Sequence, residues 1–247
     1  RMVLNLTAEE EAFSELQRSM EKWSEAFAEG VVSGPGAEET EIPVGIKSGG
    51  GDESSARDNA GTEAGTQAGT SRAPRWESLI VPAAVGYSAA ALPAAIFGEP
   101  AHAVEVLLAH LMKTGYLWEK IRMEGGAYGA FAATHALEGI FTLLSYRDPD
   151  PGRSLEVFDE VFRDFAENAP DPKDVEKAVI AVVGKDARPK SPGEKSIIGL
   201  RRSLYGITDE SRREKRRQML EATPEEIAAA AEALWYELDR VMRVVLA

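Results

Sequence analysis

The side chains best suited to chemistry in this 247-residue chain are Arg122 and Tyr128, held apart by Met123-Glu124-Gly125-Gly126-Ala127. A guanidinium stays charged and can only donate, and a phenol can donate to an oxygen that is becoming negative. An arginine at a helix end and a tyrosine at a strand start, brought together by a glycine turn, suit an oxyanion or a peptide carbonyl in a transition state. Spacing alone also admits a plain glycine-rich connection with both residues on the surface.

Other chemistries fit less well. His102-Ala-Val-Glu105-Val106 lacks the second histidine of a His-x-x-Glu-His zinc helix, because Val106 stands in its place. His110 lies eight residues on, about 12 Å along a helix, too far to share an ion with His102. The sequence therefore predicts no metal site in this chain, and His135 reads as a core or edge histidine. With no cysteine, thiolate zinc sites and thiol nucleophiles are excluded. The run Gly125-Gly126-Ala-Tyr-Gly129 follows a helix and precedes a strand, the reverse of a dinucleotide fingerprint. The basic cluster Arg212, Arg213, Lys215, Arg216 and Arg217 is interleaved with acids and lacks stacking aromatics, which predicts a solvated helix face.

The elements that must position Arg122 and Tyr128 are legible in periodicity. Val104, Leu107, Leu108, Leu111, Trp118 and Ile121 predict a helix over 101–122. Ala127–His135 and Ile140–Arg147 predict a hairpin, and Leu79–Ala89 a strand before it. Leu155, Phe158, Phe162 and Phe165 mark another helix; Asp171-Pro172 opens the next. Ser191-Pro-Gly-Glu194 and Thr223-Pro-Glu-Glu226 are capping boxes with proline at the first helical position. Gly206 marks a helix stop and Val241–Ala247 a last strand. Upstream, Thr7 and Glu10 cap an amphipathic helix over 8–29 with Phe13, Leu16, Met20, Trp23 and Phe27 on one face. From Gly34 to about Arg75, Ala-Gly-Thr repeats predict a disordered insert or linker.

Lys and Arg number 28 against 41 Asp and Glu, a net charge of −13 that argues against nucleic acid or an anionic membrane surface as partner. No run of apolar residues is long enough to span a bilayer. The start at Arg1 reads as cut from a longer chain, with no targeting segment legible.

Tyr116-Leu-Trp-Glu-Lys-Ile-Arg-Met-Glu-Gly-Gly-Ala-Tyr-Gly129 resembles the C-terminal half of the presequence-protease branch of pitrilysin/insulinase-type zinc metallopeptidases. Val81-Pro-Ala-Ala-Val-Gly-Tyr87, Leu144-Ser-Tyr-Arg-Asp-Pro149 and Leu204-Tyr-Gly-Ile-Thr-Asp-Glu210 agree with it in order. Ser88-Ala-Ala-Ala91 departs from the family's polar residues after the opening-strand tyrosine, and the insert looks long. The resemblance implies an α+β fold, an antiparallel sheet packed with helices, as the C-terminal domain of a clamshell enzyme. It implies 1–33 as the end of a preceding domain, 34–77 as linker and 78–247 as the metallopeptidase-like domain.

It further implies a protease that degrades unfolded oligopeptides in a closed chamber. Its zinc would be held by the N-terminal half, which becomes the chain's partner, with no zinc bound here. Arg122 and Tyr128 would then be the catalytic residues and Gly125, Gly126 and Ala127 substrate contacts. An intracellular organelle, mitochondrion or plastid, would be the setting. The competing expectation is a catalytically inactive homologue serving as a structural or peptide-binding subunit.

Overall fold

The computed structural model describes Arg18, residues 75–80 and residues 82–246. The expected helix over 8–29, apart from Arg18, and the expected linker up to residue 74 lie outside the described residues. Five strands form one sheet: β1 (Arg75–Leu79), β2 (Gly86–Pro93), β3 (Gly129–His135), β4 (Ile140–Asp148) and β5 (Met242–Leu246). Their order is β1-β5-β2-β4-β3. β2, β3, β4 and β5 pair antiparallel, as the pattern predicts, whereas β1 joins β5 in parallel, which makes the sheet mixed.

Alternation along β2 and β4 explains how the sheet splits its faces. Ala90, Leu92, Phe141 and Leu143 point into the core; Thr142, Leu144 and Tyr146 point to the other face. The core face is covered by α1 (Pro100–Thr114), α2 (Pro151–Glu167) and α6 (Pro224–Tyr236). α2 buries Leu155, Phe158, Val161 and Phe162, and Phe162 meets Phe141 edge-on with ring centroids 5.6 Å apart. Each such side chain stabilises the fold by roughly 1.5–3 kcal/mol. Arg243 on β5 is buried and forked to Asp159 of α2 at 2.6 and 2.8 Å, so a charge on the core face is paired.

α3 (Pro172–Ala187), α4 (Pro192–Tyr205) and α5 (Asp209–Glu221) complete the chain. Ser191 and Thr223 form the expected capping boxes, and Gly206 ends α4 in the left-handed conformation at φ 65°. Among the described residues, no helix is long and apolar enough to cross a membrane.

Two expectations need correction. The strand expected over Leu79–Ala89 is two strands: β1 ends at Leu79 and β2 starts at Gly86, with Pro82 between them. β1 itself begins at Arg75. The helix expected over 101–122 is broken at Gly115, after which the chain tightens into a wide π-helical turn, Trp118–Glu124.

Candidate functional site

The π-turn puts Arg122 on the face that looks along the end of β3. Its guanidinium carbon lies over the Trp118 ring, 3.9 Å from the centroid, a cation–π contact four residues back along the helix. Arg122 has no ion pair among the described residues, so its donors are free to face a ligand. π-helical turns inside longer helices recur at functional sites, because the wider coil re-aims one side chain.

Gly125-Gly126-Ala127 then reverses the chain. The Gly125 N–H donates to Lys120 O, Gly126 to Arg122 O and Ala127 to Ile121 O, all between 3.1 and 3.2 Å. Gly126 takes φ 78°, a conformation that costs a side-chain-bearing residue about 1–2 kcal/mol. An added Cβ at Gly125 would sit 2.6 Å from Ile121 O, so the turn closes only around a hydrogen there. Ala127 is buried. The N–H groups of Gly125, Gly126 and Ala127, the residues expected as substrate contacts, are taken up within the turn, and the side-chain donors beside it are those of Arg122 and Tyr128.

Tyr128 is 66% exposed, with its backbone N–H donating to Arg147 O at 3.2 Å. Its ring stands edge-on to Tyr146, centroids 5.8 Å apart, and Tyr146 is edge-on to Tyr87 at 5.5 Å. This aromatic ladder fixes the ring and leaves the phenol without a hydrogen-bond partner among the described residues. Beneath it, Arg147 adopts φ 50° as the register between β2 and β4 slips by one residue. Bulges of this kind aim side chains beside active sites. Asp148, buried just beyond, accepts from Asp150 N–H at 2.9 Å and from the Ser154 hydroxyl, tying the bulge to α2.

Arg122 and Tyr128 thus line one cleft of about 590 Å³ together with Lys113, Trp118, Phe131 and Tyr146. Among the described residues its ionisable groups are two cations and two phenols, with no carboxylate. Such a cleft can receive a carbonyl oxygen or an anion and strengthen its hydrogen bonds as charge develops; it has no general base. Trp118, Tyr146 and Lys113 were not among the residues to which the sequence assigned a functional role. Trp118 could have been found from its (i, i+4) spacing to Arg122, but Tyr146 arrives by cross-strand pairing with Gly129.

No metal fits the described residues. Among them no three His, Cys, Asp or Glu side chains gather around one point. The Glu105 carboxylate is buried and accepts from Ala95 N–H at 3.1 and 3.2 Å, and burial raises its pKa. His102 is 2% exposed, and neither ring nitrogen has a partner among the described residues. Burial, with Lys215 nearby, pushes its pKa down to about 4. His135 sits at the sheet edge with Nε2 3.1 Å from Thr142 Oγ1. The basic cluster is not uniformly solvated as expected: Arg217 pairs with Glu214 and Glu221, whereas Arg212, Lys215 and Arg216 line a second groove.

Comparison with known proteins places the chain in a family. Residues 76–246 match the profile of the PreP C-terminal domain. The chain is 31% identical over 175 residues to presequence protease 1, chloroplastic/mitochondrial, of Arabidopsis thaliana, covering 70% of this chain and 16% of that protein. It is 35% identical over 153 residues to the mitochondrial presequence protease of Gibberella zeae, covering 62% of this chain and 15% of that protein. The chain thus spans about a sixth of the length of these relatives. Among solved structures, a putative zinc protease from Bordetella pertussis aligns at TM-score 0.55 and 17% identity, covering 65% of this chain and 93% of that one. A peptidase M16 inactive domain from Pseudomonas fluorescens aligns at TM-score 0.57 and 19% identity, over 70% of this chain and 43% of that one.

Proposed function

Since this chain belongs to the PreP C-terminal domain family, we propose that it is the non-zinc-binding, C-terminal part of a zinc metallopeptidase that degrades unfolded oligopeptides in a closed chamber. The zinc is held by an N-terminal half, the partner with which this domain encloses the peptide. Arg122 and Tyr128 supply donors to the carbonyl under attack, and Gly125, Gly126 and Ala127 form the turn against which the peptide lies. The observation that carries this reading is the cleft itself: a guanidinium and a phenol share it, and neither has a hydrogen-bond or ion-pair partner among the described residues.

As the carbonyl carbon becomes tetrahedral, its oxygen gains charge and both hydrogen bonds shorten in the direction the charge develops. Arg122 supplies a fixed full charge and Tyr128 a neutral O–H; neither gives up its proton. Trp118, Phe131 and Tyr146 wall the cleft with apolar surface, which limits solvent screening of that charge. An organellar setting comes from the relatives, which are named mitochondrial or chloroplastic.

Tyr128→Phe in the full-length enzyme removes one donor and keeps the ring. Loss of such a donor lowers turnover about 10²–10³-fold, roughly 2.7–4 kcal/mol. The fall belongs in kcat, because the bond strengthens only in the transition state. Unchanged kcat and kcat/KM in that variant would return Tyr128 to a packing role and favour an inactive, structural homologue.

A further inference from the structure

A second groove lies on the helical side, floored by Phe97, Val106, Val182, Val183 and Met219 and bounded by α3, α4 and α5. Eight lysines and arginines line it against a single carboxylate, Asp186, a local inversion of charge in a chain of net −13. Arg188 is paired with Glu194 and Arg212 with Asp209, and Lys190 donates to the carbonyls of Asp186 and Arg188. Lys185, Arg201, Arg202, Lys215 and Arg216 have no ion pair among the described residues.

Two independent features show that the groove is underfilled. α4 is a complete helix of 14 residues with a capping box and a left-handed stop, yet it buries none of its residues. Its Ile198, Arg201 and Arg202 line the groove. His102, also lining the groove, is enclosed with both ring nitrogens unsatisfied. A buried polar group without a partner is costly, and a ligand that hydrogen-bonds it relieves that cost.

We infer that the groove between α4 and the α3–α5 pair is a docking site for an acidic peptide segment carrying apolar side chains at helical spacing. Charge complementarity selects the acid: among the described residues, carboxylates meet five cations without an ion pair and a single competing anion, Asp186. The floor selects the apolar side chains, because a bare polyanion would leave the half-buried Val182, Val183 and Ile198 uncovered. An amphipathic helix laid along a groove satisfies both, apolar face down and glutamates on the rim. This site is separate from the Arg122–Tyr128 cleft, and the two share no lining residue.

The test is fluorescence anisotropy on the 247-residue chain with a labelled peptide of about four helical turns, leucines at i, i+3 and i+4 and glutamates elsewhere. Saturable binding is expected, weakening at least about tenfold in an Arg201→Glu/Arg202→Glu/Lys185→Glu variant and again when the peptide's leucines become serines. The milder Arg201→Gln/Arg202→Gln variant, with its helical signal checked by circular dichroism, guards against misfolding and should weaken binding in the same direction. Absence of saturable binding would overturn the inference, as would equal affinity in both variants. Equal binding of the serine peptide, or displacement by tripolyphosphate or an RNA oligonucleotide at matched charge, would also overturn it by revealing a general polyanion surface.

Discussion

Trp118 is the residue on which the aim of Arg122 depends. A free arginine side chain has many rotamers, and holding it over an indole face is worth about 0.5–2 kcal/mol. Trp118→Leu keeps apolar bulk but removes that face, so the guanidinium should wander and kcat should fall a few-fold to about thirtyfold. The loss should be smaller than for Tyr128→Phe, which removes a donor outright. Rescue by Trp118→Phe, which restores a weaker ring face, separates positioning from packing. If Leu and Phe variants lose the same turnover, the stacking has no part in catalysis.

His102 makes a residue-scale prediction about stability. Its ordinary pKa is 6.5 and burial, helped by Lys215, takes it to about 4 in the folded chain. The unfolded chain therefore binds a proton between pH 6.5 and about 4 that the folded chain refuses. Stability is full above pH 6.5 and is lost as pH falls through that window, by about 3 kcal/mol. His102→Leu removes the titration, so its denaturation midpoint should drop less between pH 7 and pH 4.5. An equally steep drop in the leucine variant would assign the acid sensitivity elsewhere.

At the scale of elements, the π-turn and its glycines determine whether Arg122 and Tyr128 meet. Gly126→Ala forces a Cβ into the left-handed region, and Gly125→Ala drives one against Ile121 O. Each should lower stability by about 1–2 kcal/mol and turnover by more than that strain explains, because the donors part company. A variant with lower melting temperature but wild-type kcat would show that the turn is structural only.

Much of this was legible beforehand, because capping boxes, proline starts and the Gly206 stop are local signals. The break at Gly115 was not. Leu107, Leu108, Leu111, Trp118 and Ile121 keep a helical period straight through it, so periodicity hides the change from α to π. β1 was equally hidden, since its partner β5 lies at the far end of the chain and no local pattern announces a parallel pairing. The cleft itself was half legible: Arg122 and Tyr128 stand out by type and spacing, but Tyr146 reaches them only through the sheet register.

At the scale of the whole molecule, one face of the sheet carries exposed apolar side chains among the described residues. Phe131, Leu144, Tyr146, Met242 and Val244 remain exposed there, with Arg122 and Tyr128 at one end of the same face. An apolar surface of that kind marks an interaction site. Covering it with an N-terminal half would add what the described residues lack: a metal, a general base and a roof over the peptide. The expected outcome is that the isolated chain takes up no stoichiometric zinc and does not cleave a quenched oligopeptide. Mixing it with a separately produced polypeptide that carries the remainder of the enzyme, about five sixths of the relatives' length, should restore cleavage, sensitive to chelators and rising with the concentration of either piece until the complex saturates. Tyr128→Phe in this chain should then lower the saturated rate without shifting the concentration at which it saturates, because the phenol acts on the substrate and not on the partner. Chelator-sensitive cleavage by the chain alone would place a zinc site within it and end the division of labour proposed here.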